Sequence, residues 1–157
     1  MLRTVEFFTK REDIQEIVVV GPSEYFADFK ERFGPALGFH GVKIVAGGST
    51  RTESVTQGLA VVSSEVDFVM VHDAARPALN DALLDRILLA SNSYNAVIPA
   101  LPLSGTIKRA QTQGTNIADE DAVVDSILGA ESQTTVDAFQ VQETIERAGL
   151  WEMQTPQ

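Results

Sequence analysis

The segment at residues 67–77 constrains the fold most strongly, because an apolar run there leads directly into polar side chains. Residues 68–71 read FVMV, and residues 72–77 read HDAARP. A short, nearly unbroken apolar run of this kind is typical of a buried strand in a parallel sheet. Pro77 ends such a strand because it has no backbone N–H to donate. The sequence therefore predicts an α/β fold with a central strand that ends near residue 71.

The side chains that follow this strand form a candidate binding site. Ligands of open α/β sheets bind at the carboxyl ends of the strands. Asp73 supplies a carboxylate that can hold a divalent cation beside phosphates, and Arg76 offers a planar fork for phosphate or carboxylate. Ala74 and Ala75 let a ligand approach the backbone closely. Taken alone, the same residues also fit a strand end with a surface ion pair between Asp73 and Arg76.

The neighbouring motifs favour the functional interpretation. The run VHDAARP at residues 71–77 resembles the signature of the 2-C-methyl-D-erythritol 4-phosphate cytidylyltransferases, the CTP-using enzymes of the non-mevalonate isoprenoid pathway. Three further stretches match this family in the same order: GGSTRTESV at 47–55, PLSGTIKR at 102–109, and RAGLW at 147–151 with QTPQ at 154–157. The resemblance covers most of the chain apart from a stretch after Ala110. Four ordered motifs make it specific.

The resemblance implies both a fold and a reaction. The fold is a Rossmann-like nucleotide-diphospho-sugar transferase (GT-A-like) fold, with a mostly parallel sheet and a protruding β-arm at residues 102–148. Residues 1–157 would form a single, partial nucleotidyltransferase domain. The reaction joins CTP and methylerythritol phosphate, releases pyrophosphate and uses Mg²⁺ as cofactor. Because the substrate phosphate attacks the α-phosphorus in line, charge neutralisation and positioning do most of the catalysis, without a protein nucleophile.

The resemblance also assigns nucleotide-binding and catalytic residues. Gly48, through its backbone, and Ser54 would read the cytosine base. Asp73 and Ala74 complete the nucleotide-binding residues, and Asp73 would also hold the metal. Arg147 and Asp73 are the residues assigned to catalysis. From the residues alone, the glycine pair at 47–48 before a helix is usually only a tight turn.

The acceptor side of the site is assigned in the same way. Arg76, Thr106, Arg147 and Thr155 would bind the sugar-alcohol phosphate. In the family the arm embraces a second subunit, so Arg147 would serve the active site of the neighbour in a homodimer. Without the resemblance, an arginine near a tryptophan, such as Arg147 near Trp151, is more often a surface stacking pair than a site.

Composition limits the partners of the chain. Its 12 basic and 22 acidic residues give a net charge of −10, which argues against a nucleic-acid or anionic-membrane surface. The sequence contains no signal peptide and no apolar run of about 18 residues that would span a membrane. Because there are no cysteines, disulfides, thiolate catalysis and sulfur-ligated metals are excluded, and a cytoplasmic location is expected.

Hydrophobic periodicity predicts the other elements. Helices are expected from residue 2 to between 10 and 13, from 24 to about 33 where Gly34 and Pro35 end it, from about 50 through 62, and from 81 to 90. Either Ser49 or Thr50 caps the third helix, and either Asn80 or Asp81 caps the fourth. Strands are expected over residues 16–21, 42–46, 96–103, 106–109 and 139–144.

Residues 111–138 form an acidic insertion relative to the family. They contain six acidic residues and no lysine or arginine. Residues 118–130 are compatible with an amphipathic helix. The acids do not follow the order of a calcium-binding loop. The simpler interpretation is an embellishment without chemistry, since loops accept insertions at small cost.

The chain departs from the family pattern at both ends. Family members carry an Ala-Ala-Gly-x-Gly-x-Arg loop and a Pro-Lys-Gln before the first helix, and a lysine late in the chain. None of these is found in residues 1–157. The sequence is therefore expected to be an internal piece of the enzyme that does not catalyse by itself. The alternative is a non-catalytic remnant that dimerises or binds CTP.

A second alternative concerns the acceptor. The related ribitol-5-phosphate cytidylyltransferases resemble the chain broadly. They tend to carry a valine at the position of Ala75. Ala75 therefore favours methylerythritol phosphate over ribitol phosphate.

Overall fold

The protein is described by a computed structural model that covers residues 1–118 and 135–157. The chain divides into two compact units. The first is Met1–Ala100 with Met153–Gln157, and the second is Leu101–Glu152. The arm predicted over residues 102–148 falls within the second unit. The helix predicted at residues 118–130 lies, from residue 119 onward, outside the described residues.

The first unit alternates helices and strands. Its elements are α1 (Leu2–Phe8), β1 (Val18–Gly21), α2 (Phe26–Phe39), β2 (Lys43–Ala46), α3 (Arg51–Leu59) and α4 (Asp81–Ser91). Strands β1 and β2 are parallel, in a register that pairs Val18 with Lys43 and Gly21 with Ala46. The crossover through α2 is the connection that a parallel pair requires. The predicted strand–helix–strand–helix order is confirmed here.

The core of this unit lies between the strand pair and the helices. Val5, Val19, Leu37 and Val42 are buried together, and aromatic and aliphatic side chains of α2, β2 and the chain start pack around them. Helix α2 contacts both strands, and so does α3. Full burial of one such aliphatic side chain is worth roughly 1.5–3 kcal/mol. These few side chains therefore hold α1, α2 and the strand pair in place.

Helix α2 is longer than predicted and begins later. It starts after Tyr25 rather than Ser23, and it runs through Pro35 to Phe39. A proline inside a helix removes a backbone hydrogen bond and crowds the preceding turn. Leu37, in the turn after the proline, is completely buried in the core. The packing of this last turn offsets the cost of the proline. A rule based on local sequence does not include this packing.

The strand predicted over residues 67–71 does not form. Phe68 and Val69 keep 53% and 45% of their surface exposed, so this run is not buried on both faces. Val71 exchanges two backbone hydrogen bonds with Gln157, of 2.7 and 3.0 Å. Among the described residues, no strand pairs with residues 67–70. An apolar run becomes a strand of a sheet only when a neighbouring strand pairs with its backbone. The sequence of the run does not indicate whether such a neighbour exists.

The open choices of helix cap are resolved. The Thr50 side chain accepts a hydrogen bond from the Glu53 amide at 3.1 Å, so Thr50 caps α3. The Asn80 side chain accepts from the Leu83 amide at 2.9 Å and caps α4. Helix α3 ends at Leu59, before the predicted residue 62. No helix within the described ranges is long and apolar enough to cross a membrane.

The second unit consists mainly of antiparallel hairpins. Strand β4 (Ile107–Ala110) pairs antiparallel with β7 (Val141–Ile145), so the strands predicted at residues 106–109 and 139–144 both form. Strand β5 (Thr115–Ala118) pairs antiparallel with β6 (Thr135–Ala138). Strand β3 (Ala100–Pro102) pairs with β8 (Trp151–Met153). Of the predicted strand at residues 96–103, only the last part forms. Parallel pairing is thus seen, among the described residues, in β1 and β2.

Two leucines of α4 test the packing of this helix. Leu84 is completely buried, whereas Leu89 keeps 71% of its surface exposed. We expect Leu84→Ala to lower the free energy of unfolding by about 2–5 kcal/mol, because it leaves a cavity. The matched control Leu89→Ala should change it by no more than about 0.5 kcal/mol. Urea denaturation measures both values, and equal losses would contradict the packing of α4.

Candidate active site

The loop after β2 carries the predicted base-binding residues Gly48 and Ser54. The Gly48 amide donates to the Ser54 hydroxyl oxygen at 3.1 Å, and that hydroxyl donates to the Thr50 carbonyl at 2.9 Å. A Cβ at Gly48 would lie 2.2 Å from the Cβ of Glu53. Only glycine therefore fits at residue 48, and the backbone is pressed against the start of α3.

Glu53 fixes the other side of the same loop. Its Oε2 atom accepts hydrogen bonds from the Ser49 amide at 2.7 Å and from the Ser49 hydroxyl at 2.8 Å. These bonds lower the pKa of Glu53 below its ordinary value. With Thr50 as the cap, this is a variant of the capping box in which the glutamate reaches the residue before the cap. The side chains of α3 therefore hold the loop in one conformation.

A tight turn holds the Asp73 carboxylate. The Arg76 amide donates to the Asp73 carbonyl at 2.9 Å and closes the turn over Ala74 and Ala75. Asp73 Oδ1 lies 2.8 Å from Nη1 of Arg51, and Oδ2 lies 3.2 Å from Nε of Arg76. The carboxylate thus sits between two guanidinium groups, one from α3 and one from its own turn.

The environment of Asp73 keeps it ionised. The hydrogen bond from Arg51 is the largest cause of a lowered Asp73 pKa, and the charge of Arg76 acts in the same direction. Partial burial opposes this shift, because the Asp73 side chain is only 26% exposed. An ionised carboxylate at neutral pH is the state that binds a cation.

The end of the chain lies beside this turn. Arg76 Nη1 donates to Oε1 of Gln154 at 2.6 Å. Thr155 is buried, and its hydroxyl oxygen lies 3.5 Å from the Asp73 amide, at the limit of a hydrogen bond. The backbone pair between Val71 and Gln157 continues the attachment. The QTPQ motif and the HDAARP motif therefore meet, although they are far apart in sequence.

The structure distributes the predicted site residues over the two units. The first unit contains Gly48, Ser54, Asp73, Ala74, Arg76 and Thr155. The second unit contains Thr106 and Arg147, which are both exposed. Arg147 donates through Nη1 to the carbonyl of Ser104. The predicted roles of these residues stay predictions, but the first six are joined by the contacts described above.

Sequence reasoning missed Arg51. It is the first residue of α3 and makes the shortest contact to Asp73. A signal was available, because a helix that follows a parallel strand begins at the carboxyl edge of the sheet, where Asp73 is also predicted, and Arg51 has the opposite charge. Gln154 lies in the QTPQ motif, but the motif does not indicate its contact to Arg76.

The donor set of this site fits Mg²⁺ bound together with a nucleotide. The described residues contain no group of three or more acidic or histidine side chains that could hold a metal. Mg²⁺ often uses only one or two carboxylates, and substrate phosphates and waters supply its other ligands. Asp73, ionised and at the surface of the turn, meets that requirement. A metal held by protein side chains alone does not fit the described part of the chain.

Comparisons with known proteins agree with the motifs. A family model described as 2-C-methyl-D-erythritol 4-phosphate cytidylyltransferase matches residues 1–123. The chain belongs to this family. A curated relative, the 2-C-methyl-D-erythritol 4-phosphate cytidylyltransferase of Ralstonia nicotianae, is 38% identical over 165 residues, which cover 98% of this chain and 54% of the relative.

Two further proteins are similar to this chain. The bifunctional enzyme IspD/IspF of Desulfotalea psychrophila is 31% identical over 157 residues, which cover 100% of this chain and 34% of that protein. The crystal structure of the 4-diphosphocytidyl-2C-methyl-D-erythritol synthase of Anaerococcus prevotii matches with a TM-score of 0.65 and 23% identity, over 99% of this chain and 56% of that one. This match supports the family fold. The chain spans from 34% to 56% of the length of these three proteins.

The contact between Arg51 and Asp73 predicts a pH-dependent stability. Because folding lowers the pKa of Asp73, the stabilisation is present above the ordinary aspartate value of 3.8 and is lost as the pH falls through the folded value. We expect Arg51→Gln to lower the free energy of unfolding at neutral pH by at most about 1 kcal/mol, since the pair is partly exposed. The difference from the unsubstituted protein should shrink in acid.

The control for this experiment is Arg86→Gln. Arg86 is an exposed residue of α4, and no ion pair to it is seen in the described residues. The substitution Arg86→Gln removes the same positive charge as Arg51→Gln, at a residue for which no contact to Asp73 is seen in the described residues. Urea denaturation of both variants across the acidic range gives the comparison. If Arg51→Gln and Arg86→Gln respond to pH in the same way, the contact to Asp73 does not stabilise the fold.

Proposed function

We propose that the chain carries the nucleotide-binding part of a cytidylyltransferase. The enzyme converts CTP and 2-C-methyl-D-erythritol 4-phosphate to 4-diphosphocytidyl-2-C-methyl-D-erythritol and pyrophosphate in non-mevalonate isoprenoid biosynthesis. The observation that carries the proposal is the joined site of the first unit, in which α3 connects the Gly48 loop to the Asp73 turn through Arg51. Membership of the family supports the choice of substrates.

In this proposal the loop binds the base and the turn binds the phosphates. Gly48 presents its backbone and Ser54 its hydroxyl to the cytosine. Ala74 lets the nucleotide approach the turn, because its side chain is only a methyl group. Asp73 holds Mg²⁺, which neutralises triphosphate charge when it is bound. The rigid hydrogen bonds around Ser54 and Asp73 favour this use, since a preformed site loses little entropy on binding.

The acceptor phosphate meets the α-phosphorus of CTP in line. A bond forms between an acceptor phosphate oxygen and the α-phosphorus, and the bond to the leaving pyrophosphate breaks. Arg76, Thr106, Arg147 and Thr155 bind and orient the acceptor phosphate. Arginine suits this task because its planar fork offers several donors to phosphate oxygens. Arg76 is already oriented by Asp73 and Gln154, which supports this role.

The finer architecture is part of the same proposal. We infer a mostly parallel Rossmann-like sheet and a homodimer formed through the arm, in which Arg147 acts at the site of the neighbouring copy. Phe139 and Val141 of the second unit keep about half of their surface exposed, which favours an interface there. The absence of cysteine is compatible with a cytoplasmic enzyme.

The acceptor provides the direct test of the function. We expect the natural protein, with any sequence that flanks these residues, to release pyrophosphate from CTP and Mg²⁺ with methylerythritol phosphate. Ribitol 5-phosphate should be a poorer acceptor. The reason is the family pattern at Ala75, where a valine is typical of the ribitol enzymes. A preference for ribitol phosphate would contradict the proposed substrate, and no release with either acceptor would favour a non-catalytic remnant.

The role of Asp73 has its own test. Asp73→Asn keeps the shape of the side chain and removes the charge that would hold Mg²⁺. We expect turnover at limiting Mg²⁺ to fall by about tenfold or more, while the circular dichroism spectrum stays unchanged. Asp67→Asn makes the same substitution at an exposed aspartate outside the site, and it should leave turnover unchanged. Near-normal activity of Asp73→Asn would show that Asp73 is only a structural residue of the turn.

A further inference from the structure

Helix α1 contacts the Asp73–Arg76 turn directly. The Thr4 hydroxyl donates to the carbonyl of Ala74 at 2.9 Å. Thr4 is 3% exposed and is one of the two buried residues of α1, together with Val5. The hydroxyl reaches a backbone carbonyl seventy residues away, and this contact provides the hydrogen-bond partner that a buried hydroxyl requires.

The same face of α1 makes a second contact to the turn. Phe8 lies one helical turn after Thr4, and its ring packs edge-on against His72 with centroids 5.5 Å apart. Nε2 of His72 lies 2.9 Å from the carbonyl of Arg76. Since a carbonyl only accepts, Nε2 carries the proton of this hydrogen bond. His72 Nδ1 is buried and has no partner among the described residues, so the Arg76 carbonyl fixes the ring.

Together these contacts hold two carbonyls of one turn. Ala74 is held by Thr4, and Arg76 is held by His72, which in turn packs on Phe8. Helix α1 is itself anchored, because Val5 is part of the core. Both carbonyls belong to the turn at residues 73–76, and this turn orients the side chains of Asp73 and Arg76. Helix α1 therefore contributes to the position of the turn relative to the core, together with the contacts from α3 and the end of the chain.

We propose that Thr4 is a positioning residue of the active site, whose hydroxyl holds the Ala74 carbonyl and so orients Asp73 and Arg76. This inference rests on the proposed function, since orientation of the turn matters for turnover only if the turn binds the nucleotide. Thr4 touches neither substrate nor metal in this role. Small displacements of catalytic groups are costly in rate, because the reacting groups must be aligned.

Two substitutions separate the hydroxyl from the packing. Thr4→Val keeps the branched shape of the buried side chain and removes the donor. Thr4→Ser keeps the donor and removes the methyl group. A purely structural role predicts that the serine variant suffers at least as much as the valine variant. The positioning role predicts the reverse order for catalysis.

The experiment measures kcat and KM for CTP in the natural protein, together with thermal unfolding. We expect Thr4→Val to lower kcat/KM roughly fivefold or more, which is the value of about one net hydrogen bond. Thr4→Ser should stay within about twofold of the unsubstituted enzyme, even if its unfolding midpoint falls. Equal loss in both variants, or full activity of Thr4→Val, would overturn the proposal.

Amide hydrogen exchange gives a second measurement that does not depend on activity. The Arg76 amide reports the turn, because it donates to the Asp73 carbonyl. The Gly47 amide, which donates to Gly21, serves as the internal control. Thr4→Val should speed exchange at Arg76 by roughly fivefold, with Gly47 unchanged, and Thr4→Ser should leave both unchanged. Unchanged exchange at Arg76 in Thr4→Val would overturn the proposal.

The activity and hydrogen-exchange measurements distinguish a failure of the proposed function from a failure of the positioning role of Thr4. If the natural protein shows no cytidylyl transfer, the proposed function fails. Hydrogen exchange then still decides whether Thr4 holds the turn. If transfer is normal and both Thr4 variants are fully active, the proposed function stands and the positioning role of Thr4 is wrong.

Discussion

The first unit depends on the packing of α2 against the parallel pair of β1 and β2. Leu37 is completely buried there with Val19 and Val42, and Val5 attaches α1 to the same core. The strand pair then continues into a hydrogen bond from the Gly47 amide to the Gly21 carbonyl, 2.8 Å long. Both parts of the candidate site start from this assembly. The Gly48 loop leaves the end of β2, and α1 reaches from the core to the Asp73 turn.

Local rules predicted the elements whose cause is local. The strands β1 and β2, the cap at Asn80 and the buried face of α4 follow from periodicity and side-chain chemistry within a few residues. The two clear failures have distant causes. Pro35 stays inside α2 because Leu37 packs into the core. Residues 67–70 form no strand because, among the described residues, no strand pairs with their backbone.

The residues of the candidate site likewise differ in whether the local sequence indicates them. Motifs along the chain point to Gly48, Asp73 and Arg76, since each lies in a recognisable pattern. Arg51 lies within the motif at residues 47–55, but no role is assigned to it there, and Thr4 lies outside all four motifs. Both contact the Asp73 turn from helices that are distant from it in sequence. A threonine next to Val5 and one turn before Phe8 of an amphipathic helix is the only sign of Thr4 in the sequence. Its partner, a backbone carbonyl, carries no residue-specific signal at all.

The charge balance of the turn matters more than the charge of the chain. The chain has a net charge of −10, which repels an anionic nucleotide at long range. At physiological ionic strength, exposed charges beyond about 8 Å are largely screened. Asp73 forms ion pairs with Arg51 of α3 and with Arg76 of its own turn, so these three side chains together carry one more positive charge than negative. If the turn binds a nucleotide as proposed, a phosphate competes with Asp73 for these guanidinium groups, and carboxylate oxygens become available to the cation that accompanies the phosphate.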